Sequence, residues 1–357
     1  MLELDSLTVS AGAFWLREVN LAVGRGACHA VLGPSGAGKS TLLHAVLGVL
    51  PATNGCIRLD GADITRAPIE RRGLGYVPQQ LGLFPHLTVR ENLTYSARAR
   101  GVPATEYRPL VDKLVEATGI GALLERLPGT LSGGERQRVG IVRALASQPR
   151  LVLLDEPFTA LNDSLRRELW WLMRELQQQR GLTVLLVTHD LTEAYFLADQ
   201  VSVLLDGRIV QQGDKATVYG KPAAPEVARF LGVETLQPGR VIGVESDLAT
   251  VEVGGVRLLA LAAPGMTGNV LVSIRGEDVI LQRDGGAPGS SVRNRLAARV
   301  VSVRPGSPLH CVELDAGFPL VALVTRPACE ELALAAGVQV AALIKAPAVH
   351  LIGQTTA

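Results

Sequence analysis

Between the apolar runs Ala30-Val31-Leu32 and Leu42-Leu43-His44-Ala45-Val46-Leu47 lies Gly33-Pro34-Ser35-Gly36-Ala37-Gly38-Lys39-Ser40, followed by Thr41. The first run reads as a strand and the second as a buried helix. Glycines let the connecting backbone turn tightly, so that successive N–H groups point inward and cradle an anion. The helix that follows aims the positive end of its dipole at the same place. A lysine at the loop's end adds a point charge, and the next hydroxyl can ligate Mg²⁺. Gly33, Pro34, Ser35, Gly36, Ala37, Gly38, Lys39, Ser40 and Thr41 are therefore the candidate phosphate-binding set. Such a loop belongs in an α/β sheet that binds its ligand at the carboxyl ends of its strands.

Leu151-Val152-Leu153-Leu154 is another short apolar run, and it ends in Asp155-Glu156-Pro157. It reads as a parallel strand buried on both faces. Its two carboxylates then stand at the ligand edge. Asp155 is placed to hold Mg²⁺ through water, because Mg²⁺ keeps much of its hydration shell. Glu156 is the candidate to orient and deprotonate an attacking water. Shortly before this strand comes Leu131-Ser132-Gly133-Gly134-Glu135-Arg136-Gln137-Arg138. Ser132 and two glycines open a helix that continues to Ala146, and its hydroxyl and exposed N–H groups make a second anion site.

In this order and spacing the motifs resemble the ATP-binding cassette subunits of ABC transporters, whose signature is LSGGQ; this chain has Glu135 in place of the glutamine. The resemblance covers about residues 1–235 and implies an α/β phosphate-loop ATPase domain with a helical subdomain at about 86–150. Gln79, in Gly75-Tyr76-Val77-Pro78-Gln79, matches the glutamine that looks toward Mg²⁺ and the water. His189, in Val187-Thr188-His189-Asp190, matches the histidine that contacts the γ-phosphate and helps hold Glu156. The implied catalytic set is Glu156, His189 and Gln79, and the implied Mg²⁺ set is Ser40, Gln79 and Asp155. Phe158-Thr159-Ala160-Leu161-Asn162 stands at the D-loop, with Asn162 where the family usually has Asp. Either Asp163 compensates or the contact across the dimer is weaker. The adenine-stacking aromatic of the family falls about at Ser10; either Phe14 or Trp15 reaches back to the base, or both are core residues. The segment Leu81-Gly82-Leu83-Phe84-Pro85-His86 is expected to form, with the helical subdomain, a partly apolar groove for a permease helix; the alternative is that Leu83 and Phe84 are simply core.

A chain of 357 residues exceeds one compact domain. A net charge of +1 provides no polybasic surface, which argues against nucleic acid as a partner. The four cysteines, Cys28, Cys56, Cys311 and Cys329, are scattered, so neither a zinc site nor a disulfide framework is indicated. They read as small buried residues of a reduced cytosolic protein. The start, Met1-Leu2-Glu3-Leu4-Asp5, is unlike a signal peptide, and no apolar run approaches the ~18 residues of a membrane span. If the chain serves transport, the pore is another chain.

Residues 164–180 read as a long amphipathic helix and 182–188 and 201–205 as core strands, with Leu110, Leu114, Ala117 and Ile120 on one helical face. Asp60-Gly61 signals a hairpin. The domain boundary is expected near Gln237-Pro238-Gly239. Beyond it, β-rich runs at 240–244, 249–253, 270–274, 296–303, 310–314, 320–324 and 338–344 alternate with Gly and Pro, the pattern of an all-β barrel or sandwich. Two parts of similar layout are split around Asp284-Gly285-Gly286-Ala287-Pro288-Gly289. Residues 236–357 are thus expected to form a β-rich regulatory domain. Ser291-Val292-Arg293-Asn294-Arg295-Leu296, Arg326-Pro327-Ala328-Cys329-Glu330-Glu331-Leu332 and Val340-Ala341-Ala342-Leu343-Ile344-Lys345 resemble the molybdate/tungstate-binding Mop domain, an OB-like β-barrel of the Mop/TOBE type, over about 287–353.

Together the two parts are similar to the ATPases of molybdate importers. That resemblance implies ATP and Mg²⁺ as cofactors. It implies a head-to-tail homodimer with each ATP between the phosphate loop of one copy and Ser132, Gly133 and Gly134 of the other. It further implies integral membrane permease subunits and, through them, a periplasmic or lipid-anchored oxyanion-binding protein. The chain would then lie peripherally on the cytoplasmic face of the inner membrane. Sulfate, iron(III), polyamine and sugar importers share the core and stay open as alternatives, as does, more distantly, a soluble cassette ATPase outside transport. Ser291, Arg293, Asn294 and Lys345, helped by backbone donors near Gly289 and Ser290, are candidates to bind the oxyanion in the tail; the alternative is a tail that only dimerises.

Overall fold

The computed structural model describes residues 1–159, 161–262, 265–283 and 290–353. Two compact units emerge, Met1–Val218 and Tyr219–Ala357. The strands of the first are β1 (Leu2–Ala11), β2 (Phe14–Val23), β3 (Cys28–Leu32), β4 (Ala52–Leu59), β5 (Ala62–Asp63), β6 (Gly75–Val77), β7 (Leu151–Asp155), β8 (Thr183–Thr188), β9 (Gln200–Leu205) and β10 (Arg208–Asp214). Six form a sheet in the order β10-β9-β3-β8-β7-β6, parallel except for β10. The other four form an antiparallel sheet, β2-β1-β4-β5. The hairpin expected at Asp60 and Gly61 joins β4 to β5, with both residues at positive φ (51° and 79°).

Every residue of β3, β7 and β8 is buried, as unbroken apolar strands between two covering layers require. The helices are α1 (Lys39–Leu47), α2 (Val89–Ala99), α3 (Ala104–Ala117), α4 (Gly133–Ala146), α5 (Asp163–Arg180) and α6 (Leu191–Leu197). Leu42, Leu43 and Val46 of α1 share one core with Leu2, Leu7 and Leu16 of the antiparallel sheet and with Val31, Leu153 and Leu185 of the parallel one. α1 is thus wedged between two sheets, which fixes the loop that leads into it. In the helical arm, α3 buries Tyr107, Leu110, Val111 and Leu114. Ala117, expected on that face, is exposed, because the helix ends there and Gly119 (φ 62°) turns the chain away; Ile120 is buried just beyond.

α7 (Lys215–Gly220) spans the division, and α8 (Pro225–Phe230) follows. Among the described residues ten strands come next: β11 (Thr235–Glu245), β12 (Leu248–Val253), β13 (Val256–Leu261), β14 (Gly268–Ile274), β15 (Ile280–Gln282), β16 (Asn294–Arg304), β17 (Leu309–Asp315), β18 (Pro319–Thr325), β19 (Gln339–Ile344) and β20 (His350–Gly353), with α9 (Arg326–Glu331) after β18. They make two antiparallel five-stranded sheets, β13-β12-β11-β14-β20 and β15-β19-β16-β17-β18. The second half repeats the first, and each half lends its last strand, β15 or β20, to the other half's sheet. One hydrophobic core runs through both. The boundary expected near Gln237 falls inside β11. The unit begins earlier because Ala228 and Val233 pack with Leu271 and Ile352, and Arg275 Nη2 donates to the Tyr219 carbonyl at 2.6 Å. The expected split at 284–289 lies outside the described residues.

Candidate active site

The phosphate loop joins β3 to α1, and its glycines are demanded by close neighbours. A Cβ on Gly33 would stand 2.4 Å from the Leu204 carbonyl oxygen. One on Gly38 (φ 103°) would stand 2.6 Å from the Phe14 ring, which packs beneath the loop. Phe14 therefore takes the core reading, whereas Trp15, paired with Ser10 across β1 and β2, is 40% exposed. Lys39 is buried; its ammonium donates to the Gly33 and Pro34 carbonyls at 2.9 and 3.0 Å and lies 3.6 Å from Glu156 Oε1. Ser40 Oγ donates to Asp155 Oδ1 at 3.1 Å, and the Tyr76 hydroxyl to Oδ2 at 3.5 Å. Burial pushes the Asp155 carboxyl above its usual range, reinforced by Glu156 and opposed by the Ser40 bond. Tyr76 is pushed up to about 12, first by burial and then by Asp155.

Glu156 has φ 46°, a left-handed conformation that a side-chain-bearing residue rarely adopts. Its N–H still donates to the Val187 carbonyl at 2.9 Å, extending the β7–β8 pairing by one bond. The bend brings Glu156 Oε1 to 3.1 Å from His189 Nδ1. Lys39, Ser40, Asp155, Glu156 and His189 thus converge at the carboxyl ends of β3, β7 and β8. Behind His189, Glu193 is 1% exposed and accepts a hydrogen bond from Thr188 Oγ1 at 2.9 Å, while its Oε1 has no partner among the described residues. Burial pushes this carboxyl up to about 8. Sequence reasoning missed Glu193, which lies in the first turn of α6 just after the Asp190 cap.

Gln79 is exposed in the loop after β6, and no recorded contact among the described residues joins it to Ser40 or Asp155. It lines a cavity of about 450 Å³ together with Leu81, Leu83, Gly133 and Gln137. Ser132 caps α4: its hydroxyl accepts from the Glu135 N–H at 3.3 Å, and Glu135 Oε2 accepts from the Ser132 N–H at 2.7 Å. That reciprocal box explains how Glu135 serves where the signature has glutamine, since either side chain can close it. Gly133 and Gly134 keep their N–H groups at the helix start, and no hydrogen bond ties 132–134 to the phosphate loop among the described residues. Asn162 caps α5, accepting from the Leu165 N–H at 3.0 Å, a task Asn and Asp perform alike. Ala160 of the D-loop lies outside the described residues.

Ser40 and Asp155 present hard oxygen donors side by side, which suits Mg²⁺. Among the described residues no group of three His, Cys, Asp or Glu could hold a metal, so a cation here needs further oxygens, such as those of phosphate. In the tail, Ser291, Arg293 and Lys345 are exposed. Asn294 opposes Ile344, so Arg293 and Lys345 flank the same end of β16 and β19. Asn294 itself is buried and corrects the expectation: its side chain accepts from the Leu259 N–H at 2.6 Å and donates to the Leu259 carbonyl at 2.9 Å, completing the edge of β13. Gly289 lies outside the described residues, and Ser290 Oγ accepts from the Val292 N–H at 3.3 Å.

The ABC transporter family matches residues 16–159, and the TOBE domain matches 290–351. A molybdate/tungstate import ATP-binding protein of Pyrococcus horikoshii is 39% identical over 98% of this chain and 99% of its own length. A sulfate/thiosulfate import ATP-binding protein of Mycolicibacterium paratuberculosis is 36% identical over 90% of this chain and 83% of its own. Among solved structures, an ATP-binding cassette in a post-hydrolysis dimer bound to ADP and Pi superposes with a TM-score of 0.55 at 30% identity, covering 60% of this chain and 98% of that one. With a relative matched end to end and the phosphate loop, acidic strand and capped signature helix in place, the chain belongs to the family of ABC transporter ATP-binding proteins.

Proposed function

We propose that the chain hydrolyses ATP to power import of molybdate or tungstate through separate membrane permease subunits, working as a homodimer. The observation that carries the reading is the likeness to the Pyrococcus horikoshii protein, which extends through the β-rich tail as well as the ATPase unit. The cluster of Lys39, Ser40, Asp155, Glu156 and His189 supports the chemistry. The backbone N–H groups of the loop and Lys39 receive the phosphates; Ser40, Asp155 and Gln79 would hold Mg²⁺, which would supply charge neutralisation. Glu156 orients and deprotonates the attacking water, and His189 holds Glu156 and reaches the γ-phosphate. Ser132, Gly133 and Gly134 present their donors to the nucleotide of a second copy. The dimeric cassette among the solved structures supports that arrangement. Among the described residues no helix is long and apolar enough to cross a membrane, consistent with a peripheral subunit beside a permease; the oxyanion-binding protein outside the membrane completes the system. A sulfate importer is the second reading, favoured by the mycobacterial relative. Uptake by cells lacking this chain decides between them. Loss of molybdate and tungstate uptake with sulfate uptake intact, restored by the wild type and not by Glu156→Gln, is expected. Loss of sulfate uptake alone would establish the second reading.

A further inference from the structure

We propose that Arg166 is a positioning residue for hydrolysis: it is the far link of a closed ring that sets Glu156 against His189. The proposal deepens the ATPase reading and rests on it. At the near side of the ring, the Glu156 N–H donates to the Val187 carbonyl at 2.9 Å, and His189 Nδ1 stands 3.1 Å from Glu156 Oε1. One arm runs from Glu156 to Phe158, whose carbonyl accepts from the Leu161 N–H at 3.2 Å, and the other from Val187 to Asp190. Arg166, one turn into α5, closes the two arms. Its Nη2 donates to the Leu161 carbonyl at 3.3 Å and its Nη1 to Asp190 Oδ2 at 3.2 Å.

Both targets are themselves held. Asp190 Oδ1 accepts from the N–H groups of Thr192 and Glu193 at 2.8 and 3.1 Å, so the carboxylate is fixed as the cap of α6. Thr188 Oγ1 accepts from the Asp190 N–H at 3.0 Å and donates to Glu193 Oε2 at 2.9 Å, so His189 sits between two clamped neighbours. The Arg166 N–H donates to the Asn162 carbonyl at 2.9 Å, tying its own backbone to the end of the first arm. A planar guanidinium can reach two acceptors on two loops at once; the point charge of lysine cannot do both as well. Among the described residues Arg166 Nε and Glu193 Oε1 are nevertheless buried without partners. Orphaned polar atoms destabilise a fold, and their persistence here marks a geometry kept for a task.

Nothing in the ring belongs to the phosphate loop. Lys39, 3.6 Å from Glu156 Oε1, keeps its own bonds to the Gly33 and Pro34 carbonyls, so opening the ring should let Glu156 and His189 drift while most of the nucleotide affinity stands. ATP turnover of the full chain tests this, with Arg166→Ala, Arg166→Lys, Asp190→Asn and the pair Arg166→Ala/Asp190→Asn. Misplacement on this scale is expected to lower kcat about 10- to 100-fold in Arg166→Ala with KM for ATP held within about twofold. Arg166→Lys should recover part of the rate, and the pair should be no slower than the single alanine variant. Wild-type kcat in Arg166→Ala, strictly additive losses in the pair, or a rise in KM that tracks lost thermal stability overturns the proposal. Where the alanine variant does not fold, the lysine variant decides: reduced kcat at unchanged KM supports the ring, and wild-type kcat overturns it. Glu156→Gln measured alongside reports on the ATPase reading independently, since full turnover there would sink that reading whatever Arg166 does.

Discussion

Glu156 reaches both Lys39 and His189 because its backbone turns left-handed (φ 46°) immediately after a fully buried strand, a bend that β7 and β8 hold in place through the bond to Val187. Removing only the carboxylate charge leaves that bend and the phosphate loop intact. Glu156→Gln is therefore expected to bind ATP normally and to lose roughly 10²- to 10⁴-fold in turnover, the scale of a general base; single-turnover hydrolysis beside equilibrium nucleotide binding checks both halves. Lys39→Ala should instead weaken nucleotide binding itself, because it removes the ammonium, held by two loop carbonyls, that we propose meets the phosphates. Glu193 makes a separate prediction about stability. The folded protein keeps a proton on it up to about pH 8, while the unfolded chain releases it near 4.5. The unfolded state thus binds fewer protons across that window, and stability falls as pH rises from about 4.5 to about 8. Asp190 and Glu156 push in the same direction, and Arg166 and the Thr188 bond oppose. Glu193→Gln removes this titration, so its Tm at pH 8 should match or exceed that of the wild type, with the gap closing toward pH 5. The size is on the order of a few kcal/mol, since each unit of pKa is about 1.4 kcal/mol. That Lys39, Ser40, Asp155 and Glu156 meet at one sheet edge was legible in the sequence because a glycine-rich loop and an acidic strand end both belong at the carboxyl ends of parallel strands, whereas His189 was reached only through the family resemblance. Glu193 and Arg166 were not legible, because a Glu and an Arg on helices look solvated until the tertiary fold shows what they face.

At the scale of elements, the segment 81–86 is pinned to the helical arm by Asn92 and Arg143. Asn92 is fully buried; its Oδ1 accepts from the Phe84 N–H at 2.9 Å, and its Nδ2 donates to the carbonyls of Phe84, Leu87 and Thr88. Arg143 of α4 donates to the Leu81 and Gly82 carbonyls at 2.7 and 2.8 Å, so the segment also rides on the signature helix. Gly140 is what lets it lie so close, since a Cβ there would stand 2.6 Å from the Leu81 side chain. Leu83 and Phe84 divide the two readings of the groove. Leu83 lines the open cavity beside Gly133, whereas Phe84 packs on Tyr95 at 4.4 Å between ring centres with the Arg143 guanidinium 5.8 Å away. Leu83→Ser is expected to spare ATPase activity of the isolated subunit and to uncouple transport. Phe84→Ser should in addition destabilise by about 1–2 kcal/mol, several degrees of Tm, for a half-buried ring. Transport, ATPase and thermal melting measured on both variants check this; intact transport in Leu83→Ser would remove the groove from coupling. The elements read from the sequence were those with a strong period or a long apolar run. β13, β15 and β20 escaped: β15 and β20 span three and four residues and are stabilised by pairing with the opposite half of the tail, which no local pattern encodes.

The molecule as a whole joins an ATPase unit to a duplicated tail, and the tail's symmetry bears on what it can sense. Thr235 Oγ1 at the start of β11 accepts from the Val321 N–H of β18 at 3.0 Å, and Asn294 at the start of β16 bonds Leu259 of β13 in the equivalent place. Both halves thus use a polar side chain at the same corner to close the exchange of strands, which engages the Asn294 side chain within the fold. What one copy retains is Arg293 beside Lys345, two exposed cations at one end of β16 and β19, with Ser291 nearby. A small tetrahedral dianion bound tightly needs several convergent donors shielded from water, and two solvated cations attract sulfate as well as molybdate. Calorimetry of the full chain with molybdate, tungstate and sulfate should therefore show weak, salt-sensitive binding without preference among the three while the protein is monomeric. The fragment tested beside it should begin at Tyr219, because a cut at 237 would strip away Ala228 and Val233 and expose Leu271 and Ile352. Saturable binding selective for molybdate or tungstate, appearing at protein concentrations where two copies associate and lost in Arg293→Ala or Lys345→Ala, would mean that a second tail completes the site and that the tail senses the oxyanion. Selective binding by the monomer would place the sensor elsewhere in the tail, and the ATPase assignment would stand under any of these results.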